Sequence, residues 1–298
     1  MRQVTIATTQ MACSWDRQDN IRKASALVSD GAARGADIVV LQELFETPYF
    51  CIDRDEAFFK EATAVGDNPA IQAMQDLAAK HGVVIPVSFF EAAGTRRFNS
   101  LAMIDADGAL LGVYRKSHIP DFPSYEEAFY FDPGDSDLMV FETRAGRIGG
   151  AVCWDQWFPE AARIMALRGA EILIYPTAIG RDSTMPGYDS KRHWQRTMQG
   201  HAAANMVIVA AANRVGVEKG EGGSIAFYGG SFIADPFGEM LAEAGEDEGE
   251  ILIQSFDLDA VAETRRRWGL YRTRRTDLYG ALTMDAPSEL LDARAAAE

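Results

Sequence analysis

Several things are missing from this 298-residue chain, and each absence removes a class of function. No run of 18 or more apolar residues appears, so no membrane-spanning helix is expected. The opening stretch, MRQVTIATTQ, has no long apolar core of a secretory signal and reads directly as a strand. Only three cysteines are present, Cys13, Cys51 and Cys153, at unrelated spacings. They make no disulfide framework, and a reducing cytoplasm is the expected compartment. No CxxC, HxH or HExxH pattern suggests zinc, and the glycines of GRIGGAV lack dinucleotide-binding spacing. No cofactor is expected. Basic residues are scarce: 29 Lys and Arg stand against 44 Asp and Glu, a net charge of -15. That balance argues against nucleic acid as a partner and favours cationic ones.

What is present is an alternation of strands and helices. Val4–Gln10 reads as a strand and Asp16 to about Arg34 as a helix. ADIVVLQE reads as a buried strand, Pro69–His81 as a helix closed by Gly82, and VVIPVSFF as another strand. Hairpins follow with turns at Asp107-Gly108 and Ala145-Gly146. A helix is expected from Pro159 to about Arg168, then the strand AEILIYP. A helix capped by Asp189 or Ser190 runs to about Ala204, and MVIVAAAN follows as a strand. The last strands are GGSFIADPFGEM and ILIQSFDLD. This is an α/β protein with mixed sheets covered by helices. No linker composition divides it, so one domain over 1–285 with a tail over 286–298 is expected.

Three reactive residues end three of these strands: Glu43 after IVVLQ, Lys116 after LLGVYR and Cys153 after RIGGAV. In α/β sheets, chemistry collects at strand carboxyl ends. A nearby ammonium and the start of the following helix both favour thiolate at Cys153. Glu43 can take the thiol proton, return it to a leaving nitrogen and activate water. Lys116 and the Trp154 N–H suit a developing oxyanion. A Cys153–His118 dyad is the competing arrangement.

LQELFETPYF, YRKSHIPDFPSYEEAFYFDPG and GGAVCWDQWFPEAARIMALRGAEILIYPTAIG resemble the three signature regions of the nitrilase superfamily of carbon–nitrogen hydrolases. The resemblance implies a Glu43-Lys116-Cys153 triad and a four-layer αββα sandwich. It also implies a homo-oligomer, a dimer or an assembly of dimers. It places a second glutamate, Glu127, beside Lys116. KSHIPD, CWDQWFPEAAR, YPTAIG and HWQRTMQGHAAAN are similar to the branch that hydrolyses N-carbamoylputrescine. The stretch from Ser117 to Thr143 contains seven Asp or Glu and no Lys or Arg, which suits a small cationic ureido substrate and not a carboxylate-bearing one. Asp121 and Tyr125 are the expected pocket residues, with Trp154 adding an aromatic face and Thr177 and Ala178 shaping the wall. The alternatives are the same chemistry on a carbamoyl amino acid, a β-ureido acid or an ω-amide, or a non-catalytic polyamine-binding protein.

Overall fold

A computed structural model describes residues 1–285; the expected tail, 286–298, lies outside them. The chain divides into two compact units, Met1–Val261 and Ala262–Glu298.

The first unit contains two main sheets. One is built from β1 (Gln3–Gln10), β2 (Ile38–Val40), β3 (Ile85–Ala93), β4 (Arg96–Ile104), β5 (Leu110–Arg115) and β15 (Glu250–Asp257). β15, β1 and β2 lie side by side, and β3, β4 and β5 form an antiparallel meander. A parallel bridge between Ile38 and Val84 joins the two trios. The second sheet runs in the order β14 (Met240–Glu243), β13 (Phe232–Ala234), β10 (Ile208–Ala212), β8 (Ile172–Pro176), β7 (Gly146–Gly150) and β6 (Val140–Thr143). Its three central strands, β7, β8 and β10, are parallel.

Helices α1 (Arg17–Ala33) and α2 (Pro69–His81) pack on each other and on the first sheet, whereas α4 (Pro159–Leu167) and α5 (Lys191–Asn205) cover the second. The sheets meet face to face: the Thr8 hydroxyl on β1 donates to the Ala211 carbonyl on β10 at 3.1 Å. The architecture is the αββα sandwich. It explains why β2, β8, β10 and β13 are buried at every residue: each has a helix layer on one face and the other sheet on the other.

Local chemistry sets the element ends. Asp16 caps α1 by accepting from the Asp19 N–H at 3.0 Å, and Asn68 caps α2 by accepting from Ile71 N–H at 2.8 Å. Gly82 closes α2 at φ +71°, a left-handed position that costs glycine little. Two features were not read from the sequence. ADIVVLQE pairs only through Val40 and then leaves the sheet. A third small sheet forms from β9 (Gly180–Asp182), β12 (Ser224–Tyr228) and β11 (Val215–Lys219), with β12 in the centre.

The second unit contains the later turns of α6 (Leu258–Trp268) and a 3₁₀ turn at Thr276–Thr283. Its arginines pair locally: Arg266 and Arg267 with Glu263, and Arg275 with Asp277. No helix among the described residues is long and apolar enough to cross a membrane.

Candidate active site

Glu43, Lys116 and Cys153 follow β2, β5 and β7 by three, one and three residues, and they converge closely enough for the charges of Glu43 and Lys116 to act on the Cys153 thiol. Lys116 Nζ lies 2.9 Å from Glu43 Oε1 and 2.7 Å from Glu127 Oε2, and all three side chains are fully buried. Glu127 sits at the start of α3 (Glu127–Tyr130) and also accepts from the Tyr49 hydroxyl at 2.7 Å. The Asn99 side-chain amide, from β4, donates to Glu43 Oε1 at 2.7 Å. Three ionisable groups out of water are tolerable only with this density of partners. One atom is the exception: Glu43 Oε2 is buried and has no hydrogen-bond partner among the described residues.

Cys153 begins a short 3₁₀ turn, Cys153–Trp157, with its own backbone at φ +41°. That left-handed conformation is costly for a residue with a side chain, on the order of 1–3 kcal/mol, and persists only where the surroundings impose it. The residues on either side of Cys153 are firmly held. The Asp155 carboxylate accepts from Val152 N–H, His118 N–H and the Tyr114 hydroxyl at 3.0, 3.0 and 2.8 Å. Gln156 Oε1 accepts from Trp194 Nε1 at 2.7 Å. The amide of Trp154 lies in the first turn, where N–H groups have no intrahelical acceptor.

The charges act on one another. Burial pushes the Cys153 thiol well above its ordinary range and Glu43 adds to this, while Lys116 opposes them. Of the two influences expected to favour thiolate, the ammonium is opposed by burial and the following helix starts only at Pro159, which suits a thiol whose proton is removed during attack. Burial disfavours a charged Lys116, but Glu127 and Glu43 outweigh it and the ammonium persists to well above its ordinary range. Burial raises Glu127, with Lys116 pulling the other way.

Cys153 forms part of the wall of a cavity of about 580 Å³. Phe122, Tyr125, Trp154, Trp157, Met185 and Tyr188 supply much of the remaining wall, and Asp182 supplies a carboxylate. No Lys or Arg stands in it among the described residues. The structure thus brings Tyr125 and Trp154 to the cavity. Thr177 and Ala178 lie just behind it, fully buried. The Thr177 carbonyl accepts from Glu43 N–H at 3.4 Å, and the Ala178 carbonyl faces Cys153 Sγ at 3.7 Å. Asp121 is not brought there: it is 39% exposed and pairs with Arg54. Neither is His118, whose Nδ1 lies 2.7 Å from Asp155 and whose ring stacks on Phe158.

Sequence reasoning missed Asp182, Asn99 and Tyr49. Asn99 left a trace, as a polar residue inside the apolar strand FNSLAMI. Asp182 left none, because the small sheet that carries it was not anticipated.

Residues 5–266 match the family model of carbon-nitrogen hydrolases. The chain is 54% identical over 289 residues to an N-carbamoylputrescine amidase of Arabidopsis thaliana, covering 95% of this chain and 97% of that one. It is 45% identical to a citrullinase of Francisella tularensis over 94% and 98% of the two chains. A crystal structure of a carbon-nitrogen hydrolase from Helicobacter pylori superposes with a TM-score of 0.89 at 40% identity, covering 96% of this chain and all of that one.

Proposed function

This chain belongs to the carbon-nitrogen hydrolase family, and we propose that it hydrolyses N-carbamoylputrescine to putrescine, carbon dioxide and ammonia, a step of putrescine synthesis. Cys153 is the nucleophile. Its sulfur attacks the carbamoyl carbon as its proton passes to the unpartnered Glu43 Oε2. Lys116 Nζ donates to Glu43 Oε1 and to both oxygens of Glu127; one proton shared between the two Glu127 oxygens leaves another for the oxyanion, alongside the Trp154 N–H. Glu43 returns the proton to the departing nitrogen, which leaves a thioester-type acyl-enzyme. Glu43 then takes a proton from the water that attacks the acyl carbon and gives it to the departing Cys153 sulfur, and the carbamic acid released loses carbon dioxide to yield the second amine. Glu127, fixed by Tyr49, holds Lys116 in place.

The observation that carries the substrate assignment is the charge of the cavity wall. It contains the Asp182 carboxylate and, among the described residues, no Lys or Arg. Asp182 accepts from the Ser124 hydroxyl, Thr184 N–H and the Thr184 hydroxyl at 2.8, 2.8 and 2.6 Å, and no Lys or Arg among the described residues pairs with it. A distal ammonium completes that set, with aromatic faces beside it. Citrulline, like a carbamoyl-β-alanine, adds a carboxylate that meets no basic partner there. The test is kinetic: kcat/KM for N-carbamoylputrescine should exceed that for citrulline and for N-carbamoyl-β-alanine by at least about 100-fold, the scale of an unpaired buried charge. Equal or reversed values overturn the assignment. Three unpaired thiols suit the reducing cytoplasm. The working form is assigned as a homo-oligomer built from dimers, to be read by sedimentation.

A further inference from the structure

β10 ends at Ala212, and the next two residues, Asn213 and Arg214, are fully buried. Their side chains reach in different directions. Asn213 Oδ1 accepts from Ile179 N–H at 3.0 Å, and its Nδ2 donates to the carbonyls of Ile179 and Gly229 at 2.9 and 2.8 Å. This anchors the segment whose Ala178 carbonyl faces Cys153 Sγ. Arg214 reaches the segment that carries Glu43. Its Nη2 donates to the carbonyls of Glu43 and Leu44 at 2.7 and 3.1 Å, and its Nη1 to the Thr47 carbonyl at 3.3 Å.

A guanidinium with no exposure is costly to keep, and a single carboxylate, Glu218 Oε1 at 2.9 Å, balances it. Three of its four acceptors are main-chain carbonyls between Glu43 and Thr47. The chain needs restraint there: Glu43 lies beyond the end of β2, and Leu44 holds a left-handed φ of +48°. Packing alone would fill this space with an apolar side chain. A planar fork with several fixed donors instead suits a carbonyl cluster whose position matters.

We propose that Asn213 and Arg214 are a positioning pair. Extending from one strand end, they set the separation between the Cys153 sulfur and the free Oε2 of Glu43. This rests on the reading of those two residues as nucleophile and base. Neither Asn213 nor Arg214 touches the substrate; they act through the segments they hold. Misplacement of a reacting group by about 1 Å can cost on the order of 100-fold in rate, so a loosened pair should lower kcat and leave KM nearly unchanged.

The test is a double-mutant cycle with E43D, which shortens the base by one methylene. R214K keeps the charge and loses the fork. R214K should lower kcat about 30-fold with KM within about threefold, and the E43D/R214K double variant should fall no more than about threefold below E43D alone. The proposal is overturned if R214K keeps kcat within threefold of the parent, or if the two losses multiply. E43Q is measured alongside. Turnover in E43Q would remove the reading of Glu43 as base, whereas an inactive E43Q with multiplying losses would remove only the positioning role. If R214K does not fold, N213S takes its place in the cycle; failure of both to fold assigns the pair to stability alone and overturns the proposal.

Discussion

Two sides of Cys153 differ in almost every physical respect. On one side lie Glu43, Lys116 and Glu127, with no exposure and fixed by Tyr49 and Asn99. On the other lies a cavity of about 580 Å³, whose wall includes Met185 and Tyr188, nearly half exposed. The first side is dense with hydrogen bonds, and its carboxylates leave a single idle oxygen, Glu43 Oε2. The second is largely apolar and has one carboxylate among its described residues. A bond-breaking group must hold its protonation state and its position, and both demand exclusion of water and many partners. A recognition surface must exchange water for substrate, so it needs few polar groups and well-chosen ones. Removing one group should therefore have a different kinetic signature on each side.

The largest effect belongs to the buried side. C153A removes the sulfur proposed as nucleophile and E43Q the carboxylate proposed as proton acceptor; each should cut kcat by at least about 10⁴-fold, as for residues that act as a unit. The C153A/E43Q double variant should be scarcely worse than either single one. Ammonia release by the purified variants measures it, and circular dichroism confirms that they are folded. Appreciable turnover in C153A would mean that the nucleophile is another group.

An intermediate effect belongs to the cavity side. D182N keeps the shape of the side chain and removes its charge. KM for N-carbamoylputrescine should rise about 30-fold, with kcat within about fivefold, since the lost contact lies away from the reacting carbon. A neutral analogue, N-carbamoylbutylamine, should be hydrolysed equally by parent and D182N. If D182N impairs both compounds alike, Asp182 shapes the wall and does not read charge, and the contrast between the two sides is lost.

The same division explains what the sequence made legible. Glu43, Lys116 and Cys153 could be found because each follows a strand within three residues of its end, and strand ends follow from local apolar runs. The helix-covered α/β sheets were legible for a similar reason, since β2, β8 and β10 are uninterrupted apolar runs, as burial on both faces requires; the four-layer sandwich followed from the resemblance of the three signature regions. Asn99 and Arg214 were harder to read, because a polar residue near a strand acquires its role only from partners distant in the chain. Asn99 reaches Glu43 across 56 residues and Arg214 across 171. The burial of the thiol was beyond reach, because no local pattern measures it. The cavity wall was the least legible part, since it depends on which way an acidic side chain faces.

The smallest expected effect sharpens that last point. From sequence, Asp121 is the expected pocket carboxylate and Asp182 is not singled out, although both lie about 30 residues from Cys153. In the fold, Asp121 Oδ1 lies 3.2 Å from the Arg54 guanidinium, which is 55% exposed and also bonds Glu126. A carboxylate already facing a cation in water attracts a second cation weakly, and exposed pairs contribute about 0–1 kcal/mol to stability. D121N should therefore leave KM for N-carbamoylputrescine within about twofold of the parent and shift Tm by no more than about 2 °C. Steady-state kinetics at low and moderate salt, with a thermal melt, measure both. A tenfold rise in KM for D121N, without one for D182N, would transfer ammonium recognition to the acidic stretch between Ser117 and Thr143. The difference between the two aspartates would then lie in long-range charge and not in contact.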